Sequence, residues 1–298
     1  MKRKVIKQGN GTLTITLPKK WTEKLGINAG DEIEIDESDS RLVIRLDKEH
    51  ILSKSITIDF KDCSPRMIKR ILPVFHHSGY DEVITLYSDP SQIKAIHETI
   101  NVLSGYEIIE QRPTRCVIKS LSESSELSVD KVINRMFLVL HSIVSNLKDY
   151  SEKEGSNIQE ILVLELTLDR LTNHAERYIN KYLPKNSVYL YVLVWNLECM
   201  GDYIRDLCKK NNSLKLNEQQ KKRVVDCAEI VDNLRHLFFN FSIEGVDKLQ
   251  QKCDIFLSND IKQTHVEWAL KGIIQRVHDI LGSITAVNYV TTDKKQKV

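Results

Sequence analysis

The chain has 298 residues, of which 41% are hydrophobic and 28% are charged, and its formal net charge is +2. This length predicts two or three domains, and this composition is that of a globular protein. No apolar stretch approaches the roughly 20 residues that span a bilayer, and no apolar run follows the basic N-terminus as it would in a secretory signal. The six cysteines show no C-x-x-C spacing, which argues against a zinc site and disulfides. We therefore expect a cytoplasmic protein that does not insert into membranes.

The charges are distributed unevenly over the first fifty residues. Residues 1–24 contain seven lysines and arginines against one acid, Glu23, whereas residues 25–50 contain three basic residues against eight acids. A basic segment of this kind can present positive charge to nucleic acid, and it can equally be a solvated cluster. Charge alone does not decide between these two interpretations.

Short strands and turns are predicted for this N-terminal segment. Residues 12–17 alternate polar and apolar side chains, as a half-buried strand does. Pro18 is suited to begin a short helix that Gly26 ends. Residues 32–36 and 41–46 then form a predicted hairpin. So few apolar residues make a marginal core for one copy, which two copies sharing a barrel would complete.

The order of these signals resembles the AbrB/SpoVT/MazE swapped-hairpin family over residues 3–48. The matching words are GTLTITLPKKW at 11–21 and LGINAGDEIEI at 25–35. The resemblance implies a swapped-hairpin β-barrel formed by a homodimer, which binds double-stranded DNA through basic strand and loop residues. From the charge of the segment we expect phosphate contacts from six residues: Lys2, Arg3, Lys4, Lys7, Lys19 and Lys20.

Residues 51–120 predict a small α/β unit of the order β-α-β-α-β-β. Its helices begin at Ser64-Pro65 and Asp89-Pro90, where a capping side chain precedes a proline, and they end near Gly79 and Gly105. We find no catalytic motif in this unit and interpret it as a connector. Its adjacent pair His76 and His77 falls at a helix end, where solvated or capping histidines are more common than metal ligands.

Helical periodicity extends from residue 126 almost to the end of the chain. Six helices are predicted, at 127–150, 158–182, 187–210, 217–240, 243–257 and 261–290. Breaks between them fall at polar or proline-containing stretches, with Gly245 taken as the break before the fifth helix. The basic polar segment 291–298 is predicted to be a disordered tail.

The second and third of these helices each place two acids four residues apart, on one helical face. The pairs are Glu165 with Asp169, and Glu198 with Asp202, and Gly201 lies inside the second pair. Like charges at this spacing and a glycine in a helix both cost stability. A hard cation held between the two helices would offset the cost of burying such acids. Alternatively, the acids form exposed stripes that pair with Arg170, Arg177 or Arg205.

The words around these acids resemble those of PhoU proteins over residues 121–290. Residues 196–207, NLECMGDYIRDL, resemble the family word R-D-L-E-R-I-G-D-H/Y-A-x-x-I, and Glu165-x-x-x-Asp169 resembles its partner word. The resemblance implies a bundle of two three-helix repeats that binds divalent or iron ions at the two acid pairs. The second repeat departs from the pattern, because Gln275 and His278 replace the first acid and the glycine before Asp279.

We therefore expect a multidomain α+β protein that regulates transcription. Its predicted parts are a DNA-binding domain at 1–48, a connector at 51–120, a PhoU-like sensor at 121–290 and a tail at 291–298. PhoU proteins restrain phosphate uptake, so the resemblance implies a regulator of phosphate uptake. The alternative is an adaptor that contacts a phosphate transporter or sensor kinase and uses its N-terminal domain only to dimerise. An enzyme is not expected, because helices two and three lack histidines at E-x-x-H spacing.

Overall fold

A computed structural model describes the protein over residues 2–9, 11–38, 41–45, 53–121, 128–152, 158–184, 186–210, 215–259 and 264–291. The chain divides into two compact units, Met1–Lys54 and Ser55–Val298. Among the helices in these described ranges, none combines the length and the apolar character needed to cross a membrane.

The N-terminal unit consists of two antiparallel hairpins and one short helix. Its elements are β1 (Ile6–Gln8), β2 (Thr12–Thr14), α1 (Lys19–Leu25), β3 (Glu34–Ser38) and β4 (Arg41–Arg45). β1 pairs with β2, and β3 pairs with β4 in a register that sets Ile35 opposite Ile44. Gly26 ends α1 in the left-handed conformation at φ 67°, which glycine adopts without a steric penalty.

The apolar side chains of this unit lie at its surface. Among the residues of this unit whose burial is described, none is buried, and six large hydrophobic side chains are exposed: Val5, Ile6, Leu13, Ile15, Ile35 and Leu42. A domain that buries nothing has no core of its own. The unit as one copy therefore lacks the burial that normally stabilises a fold of this size.

The sequence predicted strands at the right places in this unit, but it predicted their bounds less accurately. The strand predicted at 12–17 ends at Thr14, and the hairpin predicted at 32–36 and 41–46 forms with its first strand shifted by two residues. The partner strand β1 was not predicted. The two hairpins form separate two-stranded sheets, and the described residues of one chain do not close a barrel.

The larger unit begins with the α/β arrangement that the sequence predicted. Its elements are β5 (Ser55–Asp59), α2 (Pro65–His77), β6 (Glu82–Leu86), α3 (Pro90–Ile100), β7 (Tyr106–Arg112) and β8 (Arg115–Ser120). The strands follow the order β5-β6-β8-β7, with β5 and β6 parallel and the other pairs antiparallel. The Ser64 and Asp89 side chains cap α2 and α3 as expected.

Gln92 fills the crevice between the carboxyl ends of β5 and β6, where ligands bind in many α/β proteins. Its amide nitrogen donates to the carbonyl oxygens of Phe60, Lys61 and Cys63 at 2.7–3.0 Å. Its amide oxygen accepts from the backbone N–H of Ser88 at 2.7 Å. These hydrogen bonds join the start of α3 to the chain that follows β5 and β6.

The rest of this unit is a bundle of long helices. They are α4 (Val129–Glu152), α5 (Ile158–Tyr182), α6 (Ser187–Lys210), α7 (Glu218–Phe239), α8 (Ile243–Ser258) and α9 (His265–Thr291). The bounds of α5 and α6 agree with the prediction at both ends. Residues 292–298 of the predicted tail, and 261–263 of the predicted last helix, lie outside the described residues.

The six helices share one hydrophobic core that extends from Val129 to Ile284. Within the first three helices α5 packs against both α4 and α6, and within the last three α9 packs against both α7 and α8. The two groups join where α6 packs on α9 and α4 packs on α7. This arrangement is compatible with a bundle of two three-helix repeats.

One predicted helix end was wrong, and one predicted break was assigned to the wrong residue. The helix expected to reach Gly105 ends at Ile100, because residues 101–104 form turns before β7. Gly245 does not separate helices: it lies in the first turn of α8, and the break falls at residues 240–242. There the Ser242 hydroxyl accepts a hydrogen bond from Gly245 N at 3.0 Å and caps α8.

Candidate functional site

The acids predicted to bind metal come together where α5 packs against α6. One carboxylate oxygen from each of Glu165, Asp169 and Asp202 lies within 4.8 Å of the others. Glu165 is buried, whereas Asp169 and Asp202 are half-buried. The spacing of four residues on α5 and the antiparallel partner helix therefore bring three of the four predicted ligands into one cluster.

Glu198, the fourth predicted ligand, lies near this cluster without belonging to the closest group. Burial, with the nearby Asp202 and Asp169 carboxylates, raises the pKa of Glu198 to about 7. Burial, with Asp169, likewise raises the pKa of Glu165 to about 7. Burial also raises the pKa of Asp169 and of Asp202. The four acids thus share one partly desolvated region in which the anionic forms are disfavoured.

Arg205 provides the counter-charge within the protein. Its guanidinium lies 2.7 Å from Glu165 Oε1 and also contacts Asp202 on its own helix. The sequence had suggested Arg205 as a partner of exposed acidic stripes. The structure places this arginine beside the clustered acids, and Glu165 is buried rather than exposed. The other two suggested partners bind elsewhere: Arg170 donates to the Asn101 carbonyl oxygen, and Arg177 donates to the His76 carbonyl oxygen and to Asp81.

The donor set fits a hard cation. Carboxylate oxygens are the ligands that divalent cations such as Mg²⁺, Ca²⁺ and Mn²⁺ prefer, and a cation would satisfy acids whose charged forms are costly to bury. Arg205 and the nearby Lys209 bring two positive charges to the four acids Glu165, Asp169, Glu198 and Asp202. The arrangement can therefore hold a metal ion, which would share these carboxylates with Arg205.

In the second three-helix group, Asp279 is bound by its neighbours on α9. Its carboxylate accepts from Gln275 Nε2 at 3.0 Å and lies 3.5 Å from the Arg276 guanidinium. Among the described residues, the carboxylates near Glu165 are the one group of three ligands close enough to share an ion.

Sequence reasoning missed a polar interface between the α/β elements and α5. His77 Nδ1 lies 3.0 Å from Glu176 Oε2, and His77 Nε2 donates to Asn173 Oδ1 at 2.6 Å. Asn173 Nδ2 in turn donates to the carbonyl oxygens of Val102 and Asp169. His76 is buried, with Nε2 2.9 Å from the Ser104 carbonyl oxygen. The expectation that these histidines are solvated or capping was wrong.

This interface connects the acid cluster to the α/β elements through α5. Asp169, a member of the cluster, accepts from Asn173 through its backbone carbonyl, and Asn173 contacts His77 on α2. Glu176 lies close enough to Glu198 to raise the pKa of that carboxyl further. Two sequence features could have indicated this interface. One is the pair of adjacent histidines at the end of α2, and the other is the charged residues inside the otherwise apolar α5.

The residues predicted to contact DNA all lie in the N-terminal unit. Six basic side chains are exposed: Lys2, Arg3, Lys4, Lys7, Lys19 and Lys20. Lys19 lies 3.6 Å from Glu23 across one helical turn, with both side chains largely in solvent. An exposed pair of this kind contributes little to stability, so Lys19 can exchange this partner for a phosphate.

Comparison with known proteins identifies the class of the N-terminal unit. Residues 6–50 match the family described as antidote-toxin recognition MazE, bacterial antitoxin. The segment is therefore MazE/AbrB-like, which is consistent with a DNA-binding regulator or an antitoxin. No curated protein and no solved structure matches the chain.

Proposed function

We propose that this protein is a homodimeric DNA-binding regulator of transcription, with a metal-binding helical bundle that senses a signal. The observation that carries the proposal is the MazE match over residues 6–50, because domains of that kind usually dimerise and bind DNA. The function is regulatory rather than catalytic. The arguments for dimerisation, for DNA binding and for the sensor come from different residues.

Dimerisation follows from the surface of the N-terminal unit. Its apolar side chains, among them Leu13, Ile35 and Leu42, are exposed in one copy. Two intertwined copies would bury them in a shared barrel, at roughly 25 cal/mol for each Å² of apolar surface removed from water. The unpaired edges of the β1–β2 and β3–β4 sheets would also gain partners.

The charge of the same unit supports DNA binding. Lys2, Arg3, Lys4 and Lys7 precede or lie in β1, and Lys19 and Lys20 begin α1. A dimer presents each of these basic side chains twice. Contacts from such residues to the phosphate backbone release counterions and make affinity fall steeply with salt.

The sensing role rests on the acids between α5 and α6. Glu165, Asp169 and Asp202 would hold a divalent or iron ion, with Glu198 beside them. The bound ion would neutralise the clustered carboxylates and stabilise the packing of the two helices. The PhoU resemblance of residues 121–290 points to phosphate uptake as the regulated process, and contact with a transporter or kinase is the corresponding adaptor function.

Binding to DNA upstream of transport genes tests the proposal, measured by fluorescence anisotropy over a series of salt concentrations. We expect the double variant Lys19→Ala, Lys20→Ala to weaken binding to all sequences. It should also flatten the plot of log affinity against log salt by about 0.9 for each phosphate that is no longer neutralised. The matched control Lys131→Ala, Lys222→Ala removes two exposed charges from the helical bundle and should change neither quantity.

The second candidate is an antitoxin, favoured by the description of the matched family. The folded unit Ser55–Val298, with acids clustered inside it, favours the regulator. A chain that binds no DNA at low salt would contradict the regulator and leave an antitoxin or an adaptor. Unchanged affinity in the lysine variant would place the DNA surface elsewhere.

A further inference from the structure

The first half of α6 presents an apolar surface to solvent. Between residues 187 and 197 the exposed positions are Val188, Tyr189, Val192 and Trp195, and all four are apolar. Val188 is 71% exposed and Trp195 is 53% exposed. Positions 188, 192 and 195 follow one another at the spacing of a single helical face. We refer to these four residues as the α6 stripe.

A helix at the surface of a bundle normally shows polar residues on its outer face. α7 does so, since Glu218, Gln219, Lys222 and Glu229 are among its exposed residues. In contrast, residues 187–197 of α6 include no charged side chain on either face. The buried face of α6 already contributes Leu190, Leu193 and Val194 to the core. The α6 stripe is therefore additional apolar surface that the bundle does not use.

We propose that the α6 stripe is the surface through which the helical bundles of two copies of this chain pair, with the two α6 helices antiparallel. A two-fold axis beside Val192 brings Trp195 of each copy against Val188 and Tyr189 of the second copy. On both sides of the axis the Trp195 ring then packs against the Tyr189 ring and over the smaller Val188 side chain.

The acids that follow the stripe on α6 restrict where the two-fold axis can lie. Pairing about Val192 places only uncharged residues of 187–197 against each other. Pairing about Trp195 would instead set Val192 against Glu198 and Val188 against Asp202 of the second copy. Burying carboxylates against apolar side chains is costly, so the register centred on Val192 is favoured over the register centred on Trp195.

The apolar area of the α6 stripe is large enough to pair two bundles whose chains are already joined through their N-terminal units. Covering the stripe and the adjoining exposed Leu183 in both copies removes on the order of 1,000 Å² from water, near the lower limit of specific interfaces. A surface of that size forms a weak dimer alone. This step rests on the proposed function, because pairing of the N-terminal units would raise the effective concentration of one bundle near the other to about millimolar.

Cross-linking of the full-length protein tests the inference. In the Val192→Cys variant, the introduced thiols lie beside the two-fold axis, so a short bismaleimide should link two chains. The product should stop at the dimer, with a yield independent of protein concentration. The matched control is Val163→Cys, since Val163 is an exposed valine on α5 outside the stripe. Equal yields from the two variants, or no dimer from Val192→Cys, would overturn the proposal.

Adding Trp195→Asp to the Val192→Cys variant separates this interface from the N-terminal one. We expect the cross-linked yield to fall at least tenfold while sedimentation still gives a dimer held by residues 1–48. Val188→Asp provides a second variant if Trp195→Asp fails to fold. A wild-type protein that sediments as a monomer would contradict the proposed function. If the protein is a dimer and neither substitution lowers the cross-linked yield, only the α6 interface is contradicted.

Discussion

Gly201 on α6 lies directly against Leu168 on α5, so that a Cβ added to the glycine would come within 2.5 Å of Leu168 Cδ2. The same added atom would lie 4.0 Å from Glu165 Cγ. The glycine therefore sets the distance between the two helices at the level of the clustered acids. Its helical propensity is poor, and the close approach that it permits is the structural reason for its position.

We expect Gly201→Ala to destabilise the protein by up to about 2 kcal/mol. Overpacking costs about 1–3 kcal/mol, and the better helix propensity of alanine returns about 1 kcal/mol. The control is Gly282→Ala on α9, where an added Cβ meets nothing within 4 Å. That change should leave stability equal or higher by up to about 1 kcal/mol. Urea denaturation measures both, and a stabilised Gly201→Ala protein would contradict the close packing of α5 and α6.

The cation site predicts opposite effects of one substitution with and without metal. Asp202→Asn should reduce bound metal and lower the melting temperature in the presence of metal, because the fold loses a ligand that stabilises it. At a metal concentration 100-fold above Kd, metal binding stabilises the folded protein by about 2.7 kcal/mol. In EDTA the same change should leave stability equal or slightly higher, because it relieves repulsion between like charges.

Asp226→Asn serves as the control, since Asp226 is a half-buried acid on α7 outside the cluster. It should leave the metal content and the metal-dependent melting shift unchanged. Elemental analysis alongside melting curves measures both quantities. If the Asp202→Asn protein binds as much metal as the wild type and is equally stable in its presence, Asp202 is not a metal ligand.

The sequence predicted the helices well because their signals are local. The bounds of α5 and α6 followed from periodicity over more than twenty residues and from Pro184 between them. The caps at Ser64 and Asp89 were likewise local. The short strands of the N-terminal unit were predicted less accurately, because a three-residue strand such as β1 contains too few residues to show alternation.

The acid cluster was predictable as two pairs, whereas its surroundings were not. Spacing places Glu165 and Asp169 on one face, but it does not show that Arg205 reaches across to Glu165. The contacts of His77 with Asn173 and Glu176 join residues almost one hundred positions apart. Such contacts depend on how α2 packs against α5, which no local pattern encodes.

The raised pKa values predict how stability depends on pH in the metal-free protein. Glu165 and Glu198 have pKa values of about 7 in the folded state, against roughly 4.3 for an unperturbed glutamate. At these two carboxyls the folded state binds more protons than the unfolded state, so their contribution to stability falls as pH rises from about 4.5 through about 7. Burial lowers the pKa of His76 and of His174, and these two groups change stability in the opposite direction. For buried Glu165 the loss is at most about 4 kcal/mol.

Denaturation in EDTA at pH 5.5 and pH 7.5 measures this effect. We expect Glu165→Gln to reduce the loss of stability between the two values, because glutamine does not titrate. Glu244→Gln on α8 is the control, since that exposed glutamate pairs with Lys248. A wild-type protein that is more stable at pH 7.5 than at 5.5, with the same slope in Glu165→Gln, would show that Glu165 is ionised in the folded state.

Arg177 on α5 holds the α/β elements against the bundle, and its replacement gives the largest predicted loss of stability. The buried guanidinium donates to the carbonyl oxygens of His76 and Tyr80 at 2.9 and 2.7 Å, and to Asp81 Oδ1 at 2.8 Å. Arg177→Ala leaves these acceptors buried without that donor, although Lys181 still contacts Asp81. We expect a loss of about 3–5 kcal/mol, the usual result of removing one partner of a buried ion pair.

Arg177→Lys should also be destabilising, because an ammonium group cannot present the guanidinium fork that reaches three acceptors on one side. The control is Arg235→Ala: Arg235 is half-buried, and its contacts with Asn134 and Asp232 are longer, at 3.4 and 3.6 Å. We expect it to cost less than about 1 kcal/mol. Chemical denaturation followed by circular dichroism compares the three variants. An Arg177→Ala protein no less stable than Arg235→Ala would mean that the α/β elements are held by apolar packing of α2 on α5 rather than by this buried hydrogen-bond network.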